Sequence, residues 1–265
     1  MPQLASKRCL IAGGTSGIGR AAAARFLQEG AKLVIAGRSE EKGDAACREL
    51  ATLGPVQFVP CDVSEPDHVE ALFEQASRFL GGLDVLYHVA GISGRRFGDG
   101  PLHECTVTGW QATISANLKS TFLTNRAAAR HFLAQGNGGV ILNMASVLAF
   151  SPSSKYFDTV AYTATKGGII AMSRLAAARY ATENIRVNVI APALIETPMA
   201  QRAAHDEAIL HFLRSKQPLR QGPGLPEDCA GAAVFLCSDA ASFITGAVLP
   251  VDGGWCVCEG QWEED

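Results

Sequence analysis

Short, almost continuously apolar runs alternate with longer amphipathic segments along the whole chain. The apolar runs have the length of strands, and the lack of polar alternation within them is typical of parallel strands buried on both faces. Strands are predicted at residues 8–12, 32–36, 56–60, 84–89, 140–144, 186–191 and 248–251. Helical apolar spacing predicts helices at residues 17–29, 40–53, 65–80, 108–134, 159–182 and 226–237.

This alternation predicts βαβ units, whose right-handed crossovers place helices on both faces of a sheet. We therefore expect one α/β domain over residues 1–265, a Rossmann-type doubly wound fold with a seven-stranded parallel sheet. Three longer connections, 91–107, 145–158 and 193–224, follow strand carboxyl ends, where such sheets bind ligands. The apolar spacing in 193–224 predicts a short helix, either a mobile substrate loop or a cover for the sheet.

Composition and charge argue against several kinds of binding partner. A formal net charge of -3 gives no positive field for nucleic acid, and no apolar run is long enough to span a membrane. The first residues resemble no secretion signal, so we expect a cytoplasmic protein. Eight cysteines without metal-ligand spacing are interpreted as buried thiols, with no metal site expected and the role of Cys256 and Cys258 left open.

A glycine-rich turn joins the first predicted strand to the first predicted helix. A turn in that context places free N–H groups and partial positive charge at the helix start, where they can bind a diphosphate. Glycine spacing alone is weak evidence, and the alternative is a merely tight turn. The turn residues predicted to bind a nucleotide cofactor are Gly13, Thr15, Ser16, Gly17, Ile18 and Gly19.

The end of the second strand predicts which nicotinamide cofactor is bound. An acid there would hold a ribose hydroxyl, but Arg38 stands in its place, and a guanidinium pairs well with a 2′-phosphate. We therefore predict NADP(H), with NAD(H) possible if Arg38 is only a solvated charge. After the third strand, Asp62 either contacts the adenine amine or stabilises a turn.

Tyr162 and Lys166 carry the candidate chemistry. Their spacing places both side chains on one face of a helix, beyond a strand end that carries Ser146. A phenol with a pKa near 10 needs a nearby cation to act as a base at neutral pH, and Lys166 is expected to supply much of that effect. Ser146 can donate to the substrate oxygen, although a serine in this position is also a common turn or cap residue.

In order along the chain, these motifs resemble the short-chain dehydrogenase/reductase family, including its 3-oxoacyl-carrier-protein reductases. The resemblance extends from Arg8 to about Trp255 and rests on the glycine turn, Cys61-Asp62-Val63, Ala90-Gly91, Asn117, Ser146, Tyr162 with Lys166, Asn188 with Pro192 and Thr197, and Asp252-Gly253-Gly254.

The resemblance implies that Tyr162 exchanges a proton with the substrate oxygen, that Lys166 also holds the nicotinamide ribose and that Asn117 supports a proton relay. It further implies a homotetramer and cofactor contacts from Val63, Ala90, Gly91, Pro192, Ile195 and Thr197. There are departures from the family pattern: Ala12, His88-Val89, Ala193 and a longer interval between Ser146 and Tyr162.

These observations predict an NADP(H)-dependent oxidoreductase of a small-molecule carbonyl or secondary alcohol. An NAD-dependent alcohol or polyol dehydrogenase is the first alternative. An epimerase or dehydratase on the same scaffold, or a non-catalytic nucleotide sensor, would retain the glycine turn but show no net redox turnover. The sequence leaves the substrate open.

Overall fold

Seven parallel strands form one sheet in the computed structural model, which describes residues 2–259. The strands are β1 (Arg8–Ala12), β2 (Lys32–Gly37), β3 (Val56–Pro60), β4 (Val85–His88), β5 (Gly139–Met144), β6 (Ile185–Pro192) and β7 (Val248–Val251). Their order is β3-β2-β1-β4-β5-β6-β7, so the chain reverses direction across the sheet between β3 and β4. The predicted Rossmann-type doubly wound fold is confirmed, with strand ends shifted by at most one residue.

Helices cover both faces of this sheet. They are α1 (Gly17–Gln28), α2 (Glu40–Leu50), α3 (Pro66–Leu80), α4 (Val107–Thr113), α5 (Ser120–Gln135), α6 (Ser154–Phe157), α7 (Val160–Tyr180), α8 (Gln201–Ala204), α9 (Glu207–Lys216) and α10 (Pro226–Cys237). The predicted continuous helix over 108–134 is wrong in one respect, because a π-helical segment, Ile114–Lys119, separates α4 from α5. A π-helical turn holds one residue more than an α-helical turn, and the spacing of apolar residues does not reveal so small a change. Such segments often lie at functional sites.

Adjacent residues of each inner strand enter opposite cores. In β2, Leu33 and Ile35 belong to the core under α1, whereas Val34 belongs to the core under α3 and α5. All three side chains are fully buried. This explains the absence of polar alternation in the sequence, since both faces of these strands exclude water.

The three long connections leave the carboxyl edge of the sheet, as expected. The 193–224 connection contains α8 and α9 and returns to the sheet edge through a parallel bridge between Ile195 and Gly224. Among residues 2–259, no helix is long and apolar enough to cross a membrane.

Candidate active site

Tyr162 and Lys166 lie one turn apart at the start of α7, facing the carboxyl end of β5. The Lys166 amine donates to the Met144 carbonyl oxygen at 2.9 Å and lies 5.4 Å from the centroid of the Tyr162 ring. Lys166 is 4% exposed, and Tyr162 is partly buried. The helix therefore holds the amine beside the phenol, with the strand end fixing the amine.

The electrostatics of this pair differ from the expectation. Burial raises the pKa of the Tyr162 phenol, and a hydrogen bond with Ser146 offsets part of that rise. Burial also lowers the pKa of Lys166 to about 8. The expected lowering of the phenol pKa by Lys166 is not seen in the protein alone, because the amine points to a backbone carbonyl in a site where burial disfavours both charges.

Ser146 is a cap residue, which is one of the two roles considered for it. Its Oγ accepts the Leu148 N–H at 3.3 Å, as a cap serine does, and donates to the Pro192 carbonyl oxygen at 3.4 Å. The same hydroxyl bonds to the Tyr162 phenol. Ser146 thus joins the ends of β5 and β6 to the start of α7.

Asn117 lies in the π-helical segment and is fully buried. Its Oδ1 accepts the Ile92 N–H at 2.8 Å, and its Nδ2 donates to the Ile92 carbonyl at 3.0 Å and to Thr165 Oγ1 at 3.2 Å. The side chain therefore ties the segment after β4 to α7, next to Lys166.

Asp99 is a site residue that the sequence analysis missed. It is 5% exposed, and its two carboxylate oxygens accept the N–H groups of Ala161 and Tyr162 at 3.0 and 2.9 Å. The N-cap residue of α7, Thr159, makes no side-chain cap bond, so a carboxylate from the 91–107 connection caps this helix instead. No local motif signals a cap that is more than sixty residues away in sequence.

The glycine turn between β1 and α1 is packed backbone against backbone. Gly13 has φ +92°, and a Cβ there would lie 2.7 Å from the Ala90 nitrogen. A Cβ on Gly19 would lie 2.1 Å from the Gly13 carbonyl oxygen. At the helix start, Ser16 makes no side-chain cap bond, which leaves the first N–H groups of α1 for another acceptor. This geometry fits the diphosphate of a dinucleotide.

The other predicted cofactor residues reach the same edge. A Cβ on Gly17 would lie 3.2 Å from the Thr197 side chain, so the segment after β6 closes over the glycine turn. A Cβ on Gly91 would lie 3.0 Å from Asn117 Oδ1 and 3.9 Å from the Lys166 amine, so the backbone after β4 passes directly beside both side chains. The remaining predicted cofactor residues also lie at strand ends along this edge. Thr15 and Ile18 follow β1, Val63 follows β3, and Ala90 follows β4. Pro192 is the last residue of β6, and Ile195 comes shortly after it.

Arg38 and Asp62 lie together on the β2–β3 side of this edge. Burial acts to raise the pKa of Asp62, but hydrogen bonds from Ser64 and the charge of Arg38 bring it below its ordinary value. Asp62 Oδ1 accepts from Ser64 N and Oγ at 3.0 and 2.7 Å, so the turn-stabilising alternative describes what this side chain does in the protein alone. Arg38 also lines a cavity of about 180 Å³ with Arg96, a residue that the sequence analysis did not single out.

His88 occupies one of the positions where the family has paired asparagines. It is 1% exposed, lies 2.8 Å from Thr124 Oγ1 through Nδ1, and lies 3.4 Å from Ser120 Oγ through Nε2. Burial, reinforced by the charge of Lys166, lowers its pKa to about 3. Backbone hydrogen bonds hold the end of β4 against β1, since the Ala12 carbonyl accepts the N–H groups of Val89 and Ala90 at 2.8 and 2.9 Å.

The substrate side of the edge has a small core of its own. Ile209 and Leu213 of α9 are buried with Trp255. Phe212 lies between Tyr156, which is tilted to it at a centroid distance of 5.0 Å, and Trp255, which meets it edge to face at 5.6 Å. The 193–224 connection therefore packs on the 145–158 connection as well as on the sheet. The longer interval before Tyr162 forms α6 and lines a cavity of about 190 Å³ that includes Leu148, Pro152 and Phe157.

The cysteines are free thiols throughout residues 2–259. Cys9, Cys61, Cys229 and Cys237 are buried as expected, but the remaining thiols, at Cys47, Cys105, Cys256 and Cys258, are partly exposed, so the prediction of uniformly buried thiols is wrong. No cluster of histidine, cysteine, aspartate and glutamate able to hold a metal ion occurs within the described part of the chain.

Comparison with known proteins gives consistent matches over nearly the whole chain. Residues 12–256 match the family described as enoyl-(acyl carrier protein) reductase. The cis-4-hydroxycyclohexanecarboxylate dehydrogenase of Sinomonas cyclohexanicum is 36% identical over 252 residues, covering 95% of this chain and 97% of that protein. The 3-oxoacyl-(acyl-carrier-protein) reductase of Thermotoga maritima is 34% identical, covering 95% and 98%. The structure of a short-chain type dehydrogenase/reductase from Mycobacterium ulcerans superposes with a TM-score of 0.88 at 31% identity, covering 96% of this chain and 91% of that one.

Proposed function

Because this chain belongs to the short-chain dehydrogenase/reductase family, we propose that it transfers hydride between NADP(H) and a cyclic secondary alcohol or its ketone, with Tyr162 exchanging the proton. The resemblance seen in the sequence, including that to 3-oxoacyl-carrier-protein reductases, is confirmed, and the chain is an oxidoreductase acting on CH–OH or C=O groups. The observation that supports the proposal is the meeting of Tyr162, Ser146 and Lys166 beside Gly91.

In this proposal each side chain acts on the substrate oxygen or on the group beside it. Ser146 donates a hydrogen bond to that oxygen, which stabilises the charge that develops on it. Tyr162 gives its phenolic proton during reduction and accepts a proton during oxidation. The hydride would come from or go to a bound nicotinamide, whose oxidised ring would add a positive charge. Lys166 holds the ribose and contributes its own charge, and together the two charges oppose the burial that raises the pKa of Tyr162.

The cofactor assignment rests on Arg38. It is exposed beyond β2, no carboxylate follows β2 before Glu40, and Glu40 is the first residue of α2, which Ser39 caps. A guanidinium in that position favours a 2′-phosphate over a ribose hydroxyl. NAD(H) is the alternative, which a preference for the cofactor without that phosphate would support.

Replacing Arg38 tests this assignment directly. Arg38→Asp is expected to weaken NADP⁺ binding by roughly a hundredfold and to improve NAD⁺ binding, because a carboxylate repels the phosphate and accepts from the hydroxyl. Arg38→Gln, which removes the charge without adding the opposite one, should weaken NADP⁺ binding by a smaller factor. Calorimetric titration with NADP⁺ and with NAD⁺ measures both effects, and an unchanged cofactor preference in Arg38→Asp would refute the assignment.

The substrate class rests on the relatives and on the aromatic lining. One relative is named for a hydroxycyclohexanecarboxylate and another for a 3-oxoacyl group on a carrier protein. The aromatic cluster of Tyr156, Phe212 and Trp255 favours the compact apolar ring of a cyclic substrate.

Nicotinamide absorbance should therefore change with cyclohexanols and cyclohexanones more than with a 3-oxoacyl thioester or an open-chain polyol. Product formation without an absorbance change would instead support an epimerase or dehydratase. Cofactor binding without any product would support a nucleotide sensor.

A homotetramer is part of the same proposal. Exposed apolar side chains on α5 and α7, Phe122, Leu133 and Leu175, are 46, 44 and 74% exposed and lie on the helices that the family resemblance implies as the interface. Burying such side chains between copies would remove apolar surface from water. Light scattering on the eluted protein should give four times the mass of one chain, and a single-chain mass would contradict it.

A further inference from the structure

Two arginines from different connections meet at one backbone carbonyl near the start of α7. Arg95 follows β4 and Arg202 lies in α8, and each donates from Nη2 to the Tyr156 carbonyl oxygen, at 3.4 and 3.5 Å. A single neutral acceptor therefore brings two positive charges together.

These charges are poorly neutralised. Across residues 2–259, neither guanidinium has a carboxylate within salt-bridge distance. Burial and then the charge of Arg202 lower the pKa of Arg95, with Asp99 and Asp158 acting in the other direction. Asp99 is already occupied, since both of its oxygens accept backbone N–H groups of α7. The pair thus lacks the charged acceptor that guanidinium groups normally bind.

The position of the pair relates it to the reacting groups. Asp99, whose charge acts on Arg95, is hydrogen-bonded to the backbone of Tyr162. The ring of Tyr156, whose carbonyl is the shared acceptor, packs on Phe212 of α9. The two arginines therefore lie where the 91–107, 145–158 and 193–224 connections meet, beside the candidate active site.

We propose that Arg95 and Arg202 form an anion clamp that binds a carboxylate carried by the substrate, at a distance from the alcohol or ketone that Tyr162 acts on. This inference rests on the proposed function and specifies its substrate as a hydroxy acid or oxo acid. A carboxylate offers two charged acceptor oxygens to two forked donors, in place of one neutral carbonyl oxygen. Because Arg202 lies in α8 and Arg95 does not, the bound carboxylate also ties the 193–224 connection to the opposite side of the site.

Binding of a substrate analogue that cannot react tests the anion clamp apart from turnover. Cyclohexanecarboxylate and cyclohexanecarboxamide have the same ring but differ in charge, and neither has an alcohol to oxidise. By calorimetric titration, with and without NADP⁺, the wild-type protein should bind the carboxylate at least about tenfold more tightly than the amide. The double variant Arg95→Gln with Arg202→Gln should lose that preference, whereas Arg48→Gln, an exposed arginine in the last turn of α2, should keep it.

Two further measurements make the outcome decisive even if the double variant folds poorly. Arg202→Lys should keep part of the preference, since charge remains but the fork is lost. Raising the salt concentration should weaken binding of the carboxylate to the wild-type protein and leave the amide unaffected. Equal binding of the two analogues by the wild-type protein, or a preference that survives the double substitution, would overturn the clamp. Preferential carboxylate binding without turnover of any alcohol would support the clamp and contradict the proposed function.

Discussion

The glycine turn and the substrate side share one edge of the sheet but are built in different ways. In the glycine turn, backbone meets backbone, and a Cβ on Gly19 would lie 2.1 Å from the Gly13 oxygen. On the substrate side, side chains from three distant connections meet, as Arg95 and Arg202 do at Tyr156. A contact between backbones leaves a short glycine pattern in the sequence, whereas a meeting of distant side chains leaves none. The comparison explains why the cofactor region is evident from the sequence and the substrate region is not.

The largest effect is expected where the packing is tightest. Gly19→Ala should destabilise the fold by about 3 kcal/mol or more and abolish cofactor binding, because the new Cβ can be accommodated only by moving the turn backbone. Chemical denaturation and cofactor titration measure the two effects.

The matched control is Gly231→Ala, in a helix where a Cβ has no heavy atom within 4 Å. It should stabilise the protein by about 0.5–1 kcal/mol through helix propensity. Similar behaviour of the two variants would show that the glycine turn is not the rigid element described.

The next effect distinguishes a helix cap that only stabilises the fold from one that also positions Tyr162. Asp99→Ala removes the acceptors of the Ala161 and Tyr162 N–H groups and should cost about 1–2 kcal/mol of stability. Because the freed helix start carries Tyr162, kcat should also fall by roughly tenfold while cofactor affinity stays the same. Asp99→Glu, which keeps the carboxylate, should recover part of the rate.

Ser238→Ala provides the comparison, since Ser238 accepts the Ala240 N–H in the connection before β7. It should lose stability without a change in kcat. If Asp99→Ala loses only stability, in the same way as Ser238→Ala, then the cap does not position Tyr162.

A third effect, which develops only as the pH falls, concerns His88 on the cofactor side. Its pKa is about 3 in the folded protein, against roughly 6.5 in an unfolded chain, so between these values the unfolded state binds the extra proton. The neutral histidine therefore contributes its full stability above about pH 6.5 and loses it as the pH falls towards 3. From pH 7 to pH 5 the loss should be about 2 kcal/mol.

His88→Asn carries no titrating group, so its unfolding free energy should decline less over the same pH interval. Urea denaturation at the two pH values measures the difference. His103→Asn, at an exposed histidine, should behave as the wild-type protein. An equal decline in His88→Asn and wild type would show that His88 is not held neutral by burial.

The seven strands, with bounds to within one residue, could be predicted from the sequence because burial on both faces imposes the apolar runs directly. β1, β3, β7 and α10 have the predicted bounds. The proximity of Tyr162, Lys166 and Ser146 could also be predicted, since a helix start and the end of a neighbouring strand lie at one edge of a parallel sheet. The π-helical segment at Asn117 was missed, because its side chains continue an ordinary helical pattern.

Asp99 and the Arg95 and Arg202 pair could not be found in this way. Their partners lie tens of residues away, and only the folded connections bring them together. The acidity of Tyr162 was misjudged for a related reason. Sequence spacing places a cation near the phenol. It cannot show that burial is the main influence on the pKa of Tyr162, or that the Lys166 amine is directed to the Met144 carbonyl.

Tyr162→Phe tests the central claim most directly, because it removes only the hydroxyl that is proposed to exchange the proton. The account predicts a loss of about a thousandfold in kcat/KM with cofactor affinity changed by less than about twofold, while Tyr180→Phe, at the other end of α7, keeps wild-type rates. Turnover by Tyr162→Phe within about tenfold of the wild-type rate would contradict the account.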